Sequence, residues 1–173
     1  MATWMTSIGG VMVVAESAPV TWPSVVPWFL AALGWIVVNW QNNSREKRKE
    51  VRAKIDSIKK SIDDVEDVAV AHHTQAQEDV RCMKVKRVLV GIAREITIVR
   101  VAGLKTSDCV KAHSRLRQSI TLNNFETRTY KNLPLTDPII ADIGTTADTL
   151  RLSLESAYAE KFQKSVCDRL LGK

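Results

Sequence analysis

The most constraining feature of this chain is an uncharged, largely apolar run from Trp22 to Trp40. A helix rises ~1.5 Å per residue, so this run would reach roughly 28 Å, close to the ~30 Å hydrocarbon core of a bilayer. Trp22, Trp28 and Trp40 lie near its two ends, where indole rings favour the headgroup layer. The run therefore predicts a single transmembrane helix over residues 22–42, preceded by a short extracytoplasmic tail, 1–21.

A basic segment follows the apolar run almost at once. Lys and Arg beside a span stay in the cytoplasm, and the N-terminal flank carries only one charge, Glu16. We therefore expect an inner-membrane protein with its N terminus outside and its C terminus cytoplasmic. The same cations are placed to bind anionic lipid headgroups. They are Arg45, Lys47, Arg48, Lys49 and Arg52.

Residues 43–76 carry a heptad pattern after this basic start. Apolar residues recur at alternating spacings of four and three, which predicts a juxtamembrane coiled coil and a homo-oligomer. Isoleucine at both core positions favours three or more strands. The alternative is an amphipathic helix that folds onto its own domain. The seam residues are Val51, Ile55, Ile58, Ile62, Val65 and Ala69.

Residues 77–173 predict a small helical domain, and the chain as a whole is expected to be all-α. Helical periodicity covers about 77–102, 108–122 and 138–170, with a loop over 123–136. Asp137-Pro138 is a good helix start, because aspartate caps and proline suits the first turn. Residues 85–101 are rich in β-branched side chains, so a strand is the alternative there.

The chain offers little catalytic chemistry. Cys109 and His113 are four residues apart, which is half of a zinc site, but His72, Cys82 and Cys167 are distant in sequence. We therefore predict no metal, no cofactor and no catalytic residues.

A basic block runs from Arg81 to Arg117, with ten basic and two acidic residues. The block is most simply a solvated helix surface, and nucleic acid, anionic lipid and an acidic protein face are its possible partners. The block lacks Phe, Tyr and Trp, so it has no stacking platform, which argues against nucleic acid.

These features predict a non-enzymatic scaffold or regulatory interaction protein, membrane-anchored by one span and self-associating through its coiled coil. An oligomerising effector that perturbs the membrane is a narrower alternative. In layout alone, an N-terminal span and a helical body, the chain also resembles the inner-membrane spanins of phage lysis. That resemblance implies a helical body in the periplasm, whereas the basic flank predicts the opposite orientation.

Overall fold

The computed structural model describes residues 22–76, 78–122, 124–127 and 129–163, with side chains from Val26 onward. These residues form four helices and no strand: α1 Trp22–Thr74, α2 Asp79–Val101, α3 Ser107–Thr121 and α4 Pro138–Phe162. The prediction of an all-α chain is confirmed for this part. The predicted tail, 1–21, and the predicted end of the last helix, 164–170, lie outside the described residues.

The chain divides into two units, Met1–Asn43 and Ser44–Lys173. In the second unit, α1 and α4 run antiparallel. Arg52 of α1 donates to Glu155 of α4 at 2.8 Å, whereas Glu66, farther along α1, accepts from Arg151 at 2.5 Å. Residue numbers therefore increase in opposite directions along the two helices where they meet. Because residues 44–74 of α1 make these contacts with α4 and fall in the same unit, they are part of the bundle.

The other two helices complete an up-down-up-down arrangement. His113 of α3 lies 3.0 Å from the Leu89 carbonyl oxygen of α2, and the Ser119 and Thr146 hydroxyls join α3 to α4 at 2.9 Å. Short connections place α2 next to α1 and α3 next to α2 in the antiparallel sense. This is the topology expected of a four-helix bundle.

Each helix buries one stripe of apolar side chains in a shared core. In α2 the buried residues recur every three or four positions, which is the spacing of one helix face. A half-buried strand would instead bury every second residue, so this spacing explains why the β-branched stretch is a helix. Its buried members are Cys82, Val85, Leu89, Ile92, Ile96 and Val99. Tertiary packing therefore outweighs the β propensity of these residues.

The predicted helix start at Asp137 is confirmed. Its carboxylate accepts a hydrogen bond from the Ile139 amide at 2.9 Å, and Pro138 occupies the first helical position. At the other end of the bundle, Gly103 has φ +90° just after α2. A side chain there would be strained, so glycine suits the turn into α3.

The segment between α3 and α4 closes one end of the bundle. The Tyr130 hydroxyl donates to the carbonyl oxygens of His72 and Gln75, and the Leu133 amide donates to that of His73 at 2.8 Å. Phe125 is buried beside these groups. The segment thus satisfies carbonyls at the C-terminus of α1, which have no partner within that helix.

Candidate functional site

The apolar segment of α1 presents large side chains around the whole helix. Exposed fractions run from 46% at Leu33 to 79% at Trp28, and Trp40 is 71% exposed. The side chain of Trp22 lies outside the described residues. Within the part that the structure describes, no helix combines the length and apolarity needed to cross a bilayer. The exposed large side chains are Val26, Trp28, Phe29, Leu30, Leu33, Trp35, Ile36, Val37, Val38 and Trp40.

The five predicted headgroup cations differ in their surroundings. Arg52 is bound to Glu155 and to Asp56, and the Glu155 hydrogen bond raises the pKa of Arg52. Lys49 pairs with Glu46 at 3.2 Å, and the Arg48 guanidinium lies 5.9 Å from the ring centroid of Phe162. The other two, Arg45 and Lys47, are exposed and make no ion pair among the described residues. Those two and Lys49 are the best placed for an anionic surface, because Arg52 is engaged within the bundle.

The six seam residues are covered by the chain's own helices. Val51 is 6% exposed, and Ile55, Ile58, Ile62, Val65 and Ala69 are 0% exposed, all within one core cluster. In this single chain the seam is therefore intramolecular, as in the amphipathic alternative. The heptad spacing and the core stripe of a bundle helix are nearly the same pattern, and for this reason the sequence left both open. Self-association stays a prediction, and it requires another surface.

Cys109 and His113 do not act on each other in the bundle. The Cys109 thiol is buried with a hydrogen bond to Ser153, and burial raises its pKa. His113 is directed to the Leu89 carbonyl, and burial lowers its pKa. A thiol with a raised pKa holds less thiolate at neutral pH, so this pair does not form an activated nucleophile.

A second cluster lies at the end of the bundle that the α3–α4 segment closes. His72 and His73 are both 0% exposed, and burial lowers the pKa of each. Cys82 Sγ lies 3.8 Å from both ring nitrogens of His72, and the His73 Nε2 lies 3.1 Å from the Ile120 carbonyl oxygen. No group of three or more metal-binding side chains occurs among the described residues. The histidines pack as neutral aromatic rings against Phe125.

Ion pairs that the sequence did not reveal join α1 to α4. The Arg151 guanidinium binds Asp63 at 2.6 Å, Glu66 at 2.5 Å and Asp148 at 2.7 Å. Glu155 binds Lys59 and Arg52. These contacts lower the pKa of Glu155, and the hydrogen bond from Lys59 has the largest effect. Apart from the Arg151–Asp148 pair, which lies within α4, these contacts span more than 80 residues of sequence, so no local pattern could indicate them.

A cleft of about 480 Å³ opens between α2 and α3. Val90, Ala93 and the buried Phe125 contribute to its apolar lining, and Lys86, Arg117 and Glu126 to its charged lining. Lys86 binds Glu126 at 2.6 Å. A neighbouring concavity of about 440 Å³ shares Lys86 and Val90 and extends along α2. The cleft combines an apolar lining with cations, which is the usual composition of a recognition site.

Comparison with known proteins adds no family to this geometry. No family model, no curated protein and no solved structure matches the chain.

Proposed function

We propose that this chain is a single-pass membrane-anchored helical interaction module without catalytic activity. Its N terminus lies outside, and its bundle lies in the cytoplasm. The observation that carries the proposal is the apolar segment of α1, whose large side chains from Val26 to Trp40 are all 46–79% exposed. A helix that is apolar on every side is stable only inside an apolar environment.

The free energy at stake favours insertion. Burying a large apolar side chain contributes about 1.5–3 kcal/mol, so ten half-exposed or more exposed side chains represent roughly 10–20 kcal/mol. Trp28 and Trp40 would lie toward the interfaces, together with Trp22 on the N-terminal side.

The orientation is supported by charge. Arg45, Lys47 and Lys49 follow the apolar segment within a few residues, and the N-terminal side has no basic residue after Met1. Basic residues beside a span remain on the cytoplasmic side, where they also meet anionic headgroups. Orientation with the bundle outside would require these residues to be translocated.

The interaction role is supported by the internal contacts of the cysteine and histidine side chains. Cys109 and His113 are engaged in separate internal contacts, and His72 and His73 are packed in an aromatic cluster. Exposed cations and the α2–α3 cleft remain as the surface chemistry of the bundle. Such a surface suits recognition of a partner, and the anchor would raise the effective concentration of that partner at the membrane.

Fractionation of cells expressing the full chain tests the anchor. The wild-type chain should stay in the membrane pellet after extraction at alkaline pH. Arginine at the centre of a span is disfavoured by about 2.5–3.5 kcal/mol, so Leu33→Arg with Val37→Arg should lower the fraction of the chain that stays in the membrane pellet. Leu152→Arg is the matched control, because Leu152 is 69% exposed on the bundle. Wild-type chain in the supernatant would refute the anchor.

A further inference from the structure

The cations of α2 and α3 form a large exposed group on the bundle. On α1 and α4, Arg52 and Arg151 bind carboxylates of the same chain, whereas Lys54 and Lys60 are exposed and make no ion pair among the described residues. On the α2–α3 side, Lys86 and Lys111 have such partners, but six other cations of the basic block are exposed and make no ion pair among the described residues. These six are Lys84, Arg87, Arg94, Arg100, Arg115 and Arg117.

The outward face of α2 arranges cations and apolar side chains in one stripe. Arg87 and Arg94 are seven residues apart, about 10.5 Å along a helix. Val90 lies between the two arginines in sequence and Met83 lies before them, and each is 63% exposed. Ile98 follows on the same stripe and is 44% exposed. The stripe lies opposite the buried face of α2, so it is available to a partner.

Gly91 lies in the middle of this stripe. Glycine in a helix interior is disfavoured relative to alanine, and a Cβ added at Gly91 would meet no atom within 4 Å. Packing within the chain therefore does not require glycine here. A missing side chain on an exposed helix face allows a second backbone to approach closely.

We propose that the α2–α3 face binds an acidic amphipathic helix of a protein partner. The partner would place apolar residues on Val90 and Gly91 and carboxylates about seven residues apart on Arg87 and Arg94. The complementary charge comes from the unpaired cations, and the concave cleft fits a convex helix. This inference depends on the proposed interaction role of the bundle but not on its membrane anchor.

Other anionic partners fit this face less well. A bilayer surface is flat on this scale, so it would leave the cleft unfilled. A nucleic-acid duplex offers little apolar surface to Met83 and Val90, and no Phe, Tyr or Trp lies between Arg81 and Arg117 for base stacking. A helix with both apolar and acidic residues uses every feature of the face.

Binding of a labelled synthetic helix to the full chain in mild nonionic detergent tests the proposal. The peptide carries Glu pairs seven residues apart and leucines between them, and its Gln-substituted version is the control. Fluorescence anisotropy should show binding of the Glu peptide alone, weakening as salt is raised. A DNA duplex and anionic vesicles are tested in parallel.

Two variants connect binding to the face. Arg87→Gln with Arg94→Gln should weaken binding about tenfold, since two exposed ion pairs are lost. Lys105→Gln with Lys111→Gln is the matched control, because it removes the same charge from cations that already bind Glu160 and Asp108. Gly91→Gln should abolish binding and leave the helical circular dichroism spectrum unchanged.

Three binding results would overturn the proposal: equal binding by the arginine and lysine double variants, full binding by Gly91→Gln, and a preference for DNA or vesicles over the peptide. Concentration-dependent self-association lost in Gly91→Gln would instead identify a second copy as the occupant and would also overturn it. Membrane fractionation is independent of these measurements, so failure of binding and failure of the anchor are distinguishable.

Discussion

Truncation of one seam residue distinguishes an intramolecular core from an oligomer seam. Ile58 is 0% exposed in the single chain. Replacing a buried isoleucine by alanine removes apolar contacts and leaves a cavity, which destabilises a protein by about 2–5 kcal/mol. Since small domains have a free energy of unfolding of about 5–15 kcal/mol, Ile58→Ala should lower the urea midpoint by roughly 1–3 M.

The assay is urea unfolding of the bundle, residues 44–173, followed by circular dichroism at two protein concentrations 50-fold apart. An intramolecular core predicts the same midpoint at both concentrations for wild type and variant, because unfolding is then unimolecular. Leu154→Ala, also 0% exposed, should cause a similar loss. Leu152→Ala makes the same change at a 69% exposed site and should alter stability by less than about 0.5 kcal/mol.

A wild-type midpoint that rises with concentration, together with an Ile58→Ala protein that is a folded monomer, would contradict an intramolecular core. That result would mean that the seam pairs between chains. It would also mean that the core described for the single chain forms only in part.

Three further predictions concern acid, a helix cap and lipid. The pKa values of His72 and His73 lie below the unfolded value of about 6.5, so the unfolded state binds protons first as pH falls. Stability should be constant between pH 6.5 and about 8 and decline below pH 6.5 by up to about 1.4 kcal/mol per pH unit for each histidine; equal urea midpoints at pH 7.5 and 5.5 would contradict this. Asp137→Ala removes the hydrogen bond from Ile139 and should lower the unfolding free energy by about 1 kcal/mol in the same assay, whereas no change would show that the cap contributes nothing. A peptide of residues 44–69 should bind anionic vesicles at low salt and release them at high salt, and equal binding to neutral vesicles would limit its cations to a topogenic role.

The helices could be predicted because their signals are local. The Asp137-Pro138 start and the spacing of Val85, Leu89 and Ile92 require only neighbouring residues to interpret. The strand alternative for residues 85–101 depended on intrinsic propensity, and packing of the buried stripe overrode it. The end of α4 could not be compared, because its predicted continuation lies outside the described residues.

Long-range contacts could not be predicted from the same patterns. Nothing near Arg151 in the sequence indicates Asp63 or Glu66, since these residues meet only after α1 and α4 pack. The burial of Ile58 by its own chain could not be predicted either, because heptad spacing suits a partner helix in the same chain and one in a second chain equally well. For the α2–α3 face, the charge of the block was visible in the sequence, but the cleft beside Val90 requires the fold.

Topology of the full chain tests the central claim, a bundle held in the cytoplasm by one span, most directly. Alkaline phosphatase and green fluorescent protein are each fused after Lys173 and expressed in a bacterial host. Phosphatase is active only in the periplasm, whereas the fluorescent protein becomes fluorescent in the cytoplasm. The account predicts membrane-bound fluorescence and no phosphatase activity. Phosphatase activity from the fusion would place the bundle in the periplasm and contradict the account.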